Sequence, residues 1–382
     1  VVVSGQASIS QPSAGHTVIQ QSTNKAIIDW QSFNIGAGEH TQFIQPSTDS
    51  ITLNRVTGGG ASEILGRLTA NGGIMLINQN GILFGQGAEI DVGSLVGSTA
   101  DLSNDDFNAG NYRFNKGAQA AARIENHGRI QTRSGGSVAL VAPYVSNQGT
   151  ITAQLGRVQL ASGNTWTLDM GGLVKLALED KVAGSLIQAG LIEADGGQIT
   201  LTANVVETML QQALHVGGTT RARTVGVNQK GNIVIGGGAA NGTVTVNGAL
   251  DVSGLGNGQT AGDVTVTGQR VALMANAEVD ARGNLGGGSI KIGGDYQGGG
   301  TTHRAERTYM AQGATIKADA TDQGHGGRVI VWSDDGTQFY GDISARGGSI
   351  AGDGGFVEVS GLASLDFAGT VTTTAFNGNN GT

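Results

Sequence analysis

The chain contains no cysteine, only 3 prolines, few aromatic residues (4 %) and few charged ones (14 %) across its 382 positions. Without cysteine there are no disulfides, no thiolate nucleophiles and no Cys-based zinc sites. That absence fits a chain that crosses an oxidising periplasm unfolded. The formal net charge of −8 argues against nucleic acid as a partner, because phosphate binding needs clustered Lys and Arg. No run of about 18 apolar residues exists, so the sequence offers no transmembrane helix. Val1-Val2-Val3 and the closing Asn377-Gly378-Asn379-Asn380-Gly381-Thr382 are expected to mark a signal-cleaved start and a shortened end.

Glycine is what the chain has in excess, with 67 residues and no Gly-X-Y period. Val, Ile and Leu are spread evenly in short alternating runs, which disordered Gly-rich chains lack. The chain therefore folds, with many tight turns and a polar surface of Ser, Thr, Asn and Gln. From Gly5 to Ile44 it reads as short strands, among them Ala26-Ile27-Ile28-Asp29-Trp30, with no clean repeat. This segment, about residues 1–45, is expected to cap the first open coil of a solenoid.

Repetition emerges after Asn126 as Gly-x-apolar, a few residues, Gly, then apolar-x-apolar. Gly128-Arg129-Ile130 leads to Gly136-Ser137-Val138-Ala139-Leu140, and Gly149-Thr150-Ile151 to Gly156-Arg157-Val158-Gln159-Leu160. Later copies run from Gly190-Leu191-Ile192 to Gly341-Asp342-Ile343 and beyond. Variable periods of roughly 20 to 40 residues with very short strands predict an all-β, right-handed parallel β-helix. Glycine is assigned to the corners for its freedom of dihedral angle. At about 4.8 Å per coil, a monomeric rod roughly 65–80 Å long is expected.

Two insertions interrupt the pattern. Residues 101–110 read as an acidic, turn-rich loop, followed by an extra-helical strand at Tyr112-Arg113-Phe114. Between Asn204 and Leu214 the apolar residues Val206, Met209, Leu210 and Ala213 fall at helical spacing. Asn204 stands as N-cap and Gly217-Gly218 as stop, which predicts one short helix.

Catalytic signals are weak. The six histidines are scattered with no pair at three or four residues' spacing, so no metal site is expected. No Gly-x-Ser-x-Gly occurs. Asp334, Asp335, Asp342, Asp353 and Glu358 form the best acid–base candidate. Their plainer reading is turn-forming Asp residues and one outward Glu. Gly352-Asp353-Gly354-Gly355 lacks the nine-residue repeat of a calcium-binding roll. Trp332, Asp334, Asp335 and Tyr340 are candidate glycan contacts; no cofactor is expected.

The most informative stretch is Ile74-Met75-Leu76-Ile77-Asn78-Gln79-Asn80-Gly81-Ile82-Leu83-Phe84. Two apolar runs flank a polar Asn-Gly turn, which usually signals an antiparallel hairpin. The recurrence of such corners at coil-like spacing suggests a turn between parallel coils instead.

Several ordered segments carry a resemblance: Ala26 to Ile35, Asn54-Arg55-Val56, Gly66-Arg67-Leu68, Leu76 to Ile82, Asn147 to Ile151 and Gly156 to Leu160. Over about residues 1–250 they resemble the N-terminal part of two-partner-secretion exoproteins, the filamentous-haemagglutinin-like TpsA proteins of Gram-negative bacteria. The family's turn is Asn-Pro-Asn-Gly-Ile, and here Gln79 stands in place of the proline. The absence of Asn-Pro-Asn-Leu points to the branch of non-pilus adhesins. The resemblance implies a secretion domain over 1–250 and a β-helical passenger stalk over 251–382. It also implies a non-enzymatic adhesin exported through the periplasm to the cell surface. The partner would be a TpsB-type outer-membrane barrel bearing POTRA domains, and the turn residues Asn78, Gln79, Asn80, Gly81 and Ile82 form the secretion motif. Exopolysaccharide or a host or neighbouring cell surface would be the passenger's ligand. The alternatives are a β-helical polysaccharide-degrading enzyme and the stalk of a haemolysin or contact-dependent toxin.

Overall fold

The computed structural model of the chain describes all residues except 116, 118, 120, 170–174, 180 and 206–211. Among the described residues, strands fall into three large, predominantly parallel sheets and a separate three-stranded sheet. The chain divides into two compact units, Val1–Leu186 with Asn204–Val206 and Ile187–Ala203 with Glu207–Thr382.

The first unit opens with a cap. Strand β1 (Val2–Ser4) and the hairpin of β2 (Ala7–Ser13) and β3 (His16–Gln21) precede β4 (Lys25–Trp30). β1 pairs antiparallel with β4, and β2 pairs antiparallel with β3. Parallel pairing begins where β3 meets β5 (His40–Ile44) and β4 meets β6 (Ile51–Val56). From there each coil visits the three sheets in turn. β6, β7 (Ser62–Ile64) and β8 (Arg67–Ala70) make one coil; β9 (Gly73–Ile77), β10 (Ile82–Phe84) and β11 (Glu89–Val92) make the next. Each strand lies in register on its counterpart: Ile74 on Thr52, Ile82 on Ser62 and Ile90 on Leu68. The expected parallel β-helix with an N-terminal β cap is therefore what the chain forms.

The apolar run Ile74–Ile77 is continuous because β9 is buried on both faces. Leu76 is fully buried on one face. Met75 and Ile77 enter a second core with Leu53, Val96, Phe107, Phe114 and Trp166. An extra-helical layer covers this outer face. It consists of the antiparallel sheet of Tyr112–Phe114, Trp166–Asp169 and Lys175–Leu178, with Phe114 stacked 3.8 Å from Trp166. The strand expected at Tyr112-Arg113-Phe114 is present.

The helix expected over 204–214 falls mostly on residues outside the described ones, and the described residues at its two ends are strand. Asn204 ends the strand Gln198–Asn204, and Ala213 and Leu214 sit in the strand Gln212–Val216, paired in parallel with Thr243–Val246. Val206, Met209 and Leu210 lie outside the described residues. The α-helix seen among the described residues is α1 (Asn104–Ala109), inside the segment read as a loop. Ser103 caps it by accepting from Asp106 N–H, Gly110 closes it in the left-handed region, and Phe107 is buried.

The second unit repeats the coil plainly. Asp263–Val266, Arg270–Leu273 and Glu278–Asp280 make one turn; Ser289–Ile292, Arg307–Met310 and Thr315–Lys317 make the next. The unusual dihedrals expected of corner glycines occur at Gly286, Gly313, Gly324 and Gly352, but not at every corner. Gly262, Gly288, Gly327 and Gly355 do not take positive φ. A Cβ on Gly288 would lie 2.0 Å from Gly262 O, and one on Gly327 2.1 Å from Gly288 O. Glycine is required there by the close approach of the preceding coil's carbonyl.

Candidate functional site

The turn 78–81 leaves β9 in one sheet and enters β10 in another, so it is a corner between parallel coils. Asn78 is fully buried. Its Nδ2 donates to Gly60 O at 2.9 Å and to Ser62 Oγ at 3.0 Å, and both partners belong to the preceding coil. Its Oδ1 accepts from Asn80 N–H at 2.9 Å, and its carbonyl accepts from Gly81 N–H at 3.0 Å. One side chain thus closes the turn and ties it backwards. Asn80 repeats the tie, donating from Nδ2 to Gly58 O at 3.0 Å and accepting from Gln119 Nε2 at 3.1 Å. Gly81 holds φ +121° with Arg123 O 2.9 Å from where its Cβ would stand. Ile82 is buried and follows directly as the first residue of β10.

Gln79 is the exposed member. It occupies the second turn position, where proline fits best. Its Nε2 donates to Gly117 O at 3.2 Å, so a side-chain tether stands where a rigid ring would otherwise fix the backbone.

Two neighbours escaped the sequence reading as site residues. Arg55 donates to Asp29, Asp101, Asn104 Oδ1 and Leu102 O, pinning the inserted helix to the coil. Asn54, fully buried, accepts from Trp30 Nε1 at 3.0 Å. The segment Asn54-Arg55-Val56 signalled them, but their partners come from distant parts of the chain.

The second candidate group is dispersed. Trp332 is 6 % exposed, its ring under Gly294 and Gly298, with Nε1 3.3 Å from Asp334 Oδ1. Asp334 pairs with Arg304 at 3.3 Å and Asp335 with Arg307 at 3.6 Å. Tyr340 donates to Asp366 at 2.5 Å, which pushes its phenol pKa up, and it meets Tyr309 edge to face. Asp342 starts a strand of another sheet, and Glu358 accepts from Gln297 N–H and Ser360 Oγ. Asp353 lies 3.6 Å from His325 Nδ1.

A family model described as the TPS secretion domain matches residues 2–250. The chain belongs to this family. It is similar over its whole length to the HMW1 secretion domain from Haemophilus influenzae, at 31 % identity and a TM-score of 0.86, covering 99 % of that chain. It is also similar to two proteins called heme/hemopexin-binding protein, both from Haemophilus influenzae. One is 32 % identical over 309 residues, 77 % of this chain and 33 % of that protein. The other is 32 % identical over 260 residues, 61 % of this chain and 27 % of that protein. The chain spans about a third or less of the length of these curated relatives. A TPS domain implies a TpsB-type transporter as partner and secretion from a Gram-negative cell. Among the described residues, no helix is long and apolar enough to cross a membrane.

Proposed function

We propose that residues 1–250 are the export and folding-nucleation module of a TpsA exoprotein, with the cap over about 1–45, and that 251–382 begin its passenger stalk. The family match ends at Leu250, within the strand Ala249–Asp251, while the same coil ladder continues into Glu278–Asp280, which supports this division. The POTRA domains of the transporter receive the module in the periplasm. The module then folds outside the cell, on or beyond its surface. The turn 78–82 acts through the fold: the observation that carries this reading is that Asn78 is buried and bonded to the preceding coil. Asn78→Ala orphans Gly60 O and Ser62 Oγ, and is expected to cost about 1–3 kcal/mol. The test is export through the TpsB partner beside the purified domain's stability and its binding to isolated POTRA domains. A lowered melting point with intact binding is the expected result. Lost binding at an unchanged melting point would make the turn a recognition site instead.

For the passenger we infer adhesion to a cell surface or biofilm matrix, with exopolysaccharide as ligand and no catalysis. Support comes from a polar cleft of about 500 Å³ lined by Arg307, Asp335, Gln338 and Asp366, beside Tyr340. The ion pairs of Asp334 and Asp335 weigh against acid–base work. A glycan array, with a parallel search for new reducing ends, tests both statements; released sugars lost in Asp335→Asn would restore the enzyme reading. A second reading, capture of heme or of a heme carrier, has the names of two relatives behind it. Binding to immobilised hemopexin without glycan retention would favour it. The stalk of a haemolysin or toxin remains the third alternative.

A further inference from the structure

His16 and His40 stand far apart in sequence, yet strand register sets them directly opposite each other on β3 and β5. Their rings stack with centroids 4.8 Å apart and planes within 1° of parallel, half-exposed on the outer face of the sheet. Each ring is held at Nε2. His16 Nε2 lies 3.3 Å from Gln42 Oε1, and His40 Nε2 lies 2.8 Å from Thr69 Oγ1. Gln42 and Thr69 are register partners themselves, so the two contacts are one arrangement repeated a strand further on.

An amide oxygen only accepts, so His16 carries its proton on Nε2 and its lone pair on Nδ1. At His40 the Thr69 hydroxyl can accept from Nε2–H, which allows the same tautomer there. Neither Nδ1 has a hydrogen-bond partner among the described residues. One ring nitrogen fixed by an oxygen while the other stays bare is the outer-shell pattern of metal-ligating histidines.

We propose that His16 and His40 form a two-imidazole site for a late divalent transition-metal ion (Zn²⁺, Ni²⁺ or Cu²⁺), bound through the two Nδ1 atoms. Metal–nitrogen bonds of about 2.0–2.1 Å in tetrahedral geometry place two such nitrogens about 3.3 Å apart. In the stacked pair the two Nδ1 lone pairs lie in parallel planes, so binding one ion requires both rings to turn out of the stack toward it, a side-chain rotation that half-exposed positions allow while the strands keep their register. Imidazole ligands suit these ions, with Cu²⁺ bound tightest. Among the described residues no third His, Asp or Glu joins the pair, so water completes the coordination and the affinity is micromolar rather than structural. An ion bound there links the cap hairpin to the first parallel coil.

The experiment is calorimetric titration of the whole chain with Zn²⁺ and with Ni²⁺, alongside melting temperature. One micromolar site and a raised melting temperature are expected. His16→Gln and His40→Gln should each weaken binding at least tenfold and remove the thermal shift, whereas His127→Gln changes neither. No binding at millimolar metal, or equal affinity in the double variant, overturns the proposal. Should the variants not fold, electron paramagnetic resonance of the Cu²⁺-loaded unaltered chain decides. Coupling to two equivalent imidazole nitrogens supports the site, and oxygen-only or single-nitrogen coordination overturns it.

Discussion

At Gly81 two separate constraints exclude a side chain: the backbone holds φ +121°, and Arg123 O occupies the approach to a Cβ. Gly81→Val is expected to destabilise the domain by roughly 1–3 kcal/mol, measured by denaturant unfolding. Asp295 offers a test in pH. Burial on its own would raise the carboxyl's pKa, but bonds from Lys291 Nζ at 2.5 Å and Tyr296 N–H at 2.7 Å, with nearby Arg328, outweigh it and leave the pKa below its ordinary value. A carboxylate with a depressed native pKa stabilises the fold above its unfolded pKa, about 3.9, and that contribution fades as pH falls through the native value. Asp295→Asn should therefore melt below the unaltered chain at pH 7, with the gap closing at the acid end. A gap independent of pH would show that the carboxylate charge has no part in it.

The elements were legible where their cause was local. The stretch 74–84 announced a corner because Asn-Gly after an apolar run carries its own turn chemistry, and the coil glycines set a readable spacing. The helix α1 was also written locally, with Ser103 capping, Asp106 three residues on and Leu102 and Phe107 both buried around the cap. Six residues are too few to show a helical period, so its capping signature went unread. Ala213 and Leu214 continue the apolar spacing of the segment 204–214, yet they are buried in a parallel ladder rather than on a helix face. Pairing across coils also hid Asn126, whose Nδ2 donates to Asn147 Oδ1 at 2.8 Å within the interior. Nothing in the order of residues reports a partner one coil away. The extra-helical layer can be tested at Trp166, which is fully buried and stacked on Phe114. Trp166→Ala should cost about 3–5 kcal/mol by chemical denaturation while the coil strands stay parallel.

On the scale of the molecule, the second unit is governed by a column of glycines in which each carbonyl fills the space a side chain would need on the next. Gly288→Ala places a methyl group 2.0 Å from Gly262 O and meets backbone on no flexible side. A loss of ~3 kcal/mol, visible as a large drop in melting temperature, is expected where a surface Gly→Ala would change little.

The same column makes the chain divisible. Ser289 donates its N–H to Gly262 O just as Arg328 does to Gly288 O, and Ser289 lies in register with Asp263 and Arg328. Each coil therefore presents the next with the same joint it received from the last. Excising residues 263–288 brings Ser289 directly after Gly262, where Asp263 had stood, and restores an ordinary bond sequence. A gene encoding such a unit can lose or duplicate a coil in one recombination event and still specify an unbroken ladder.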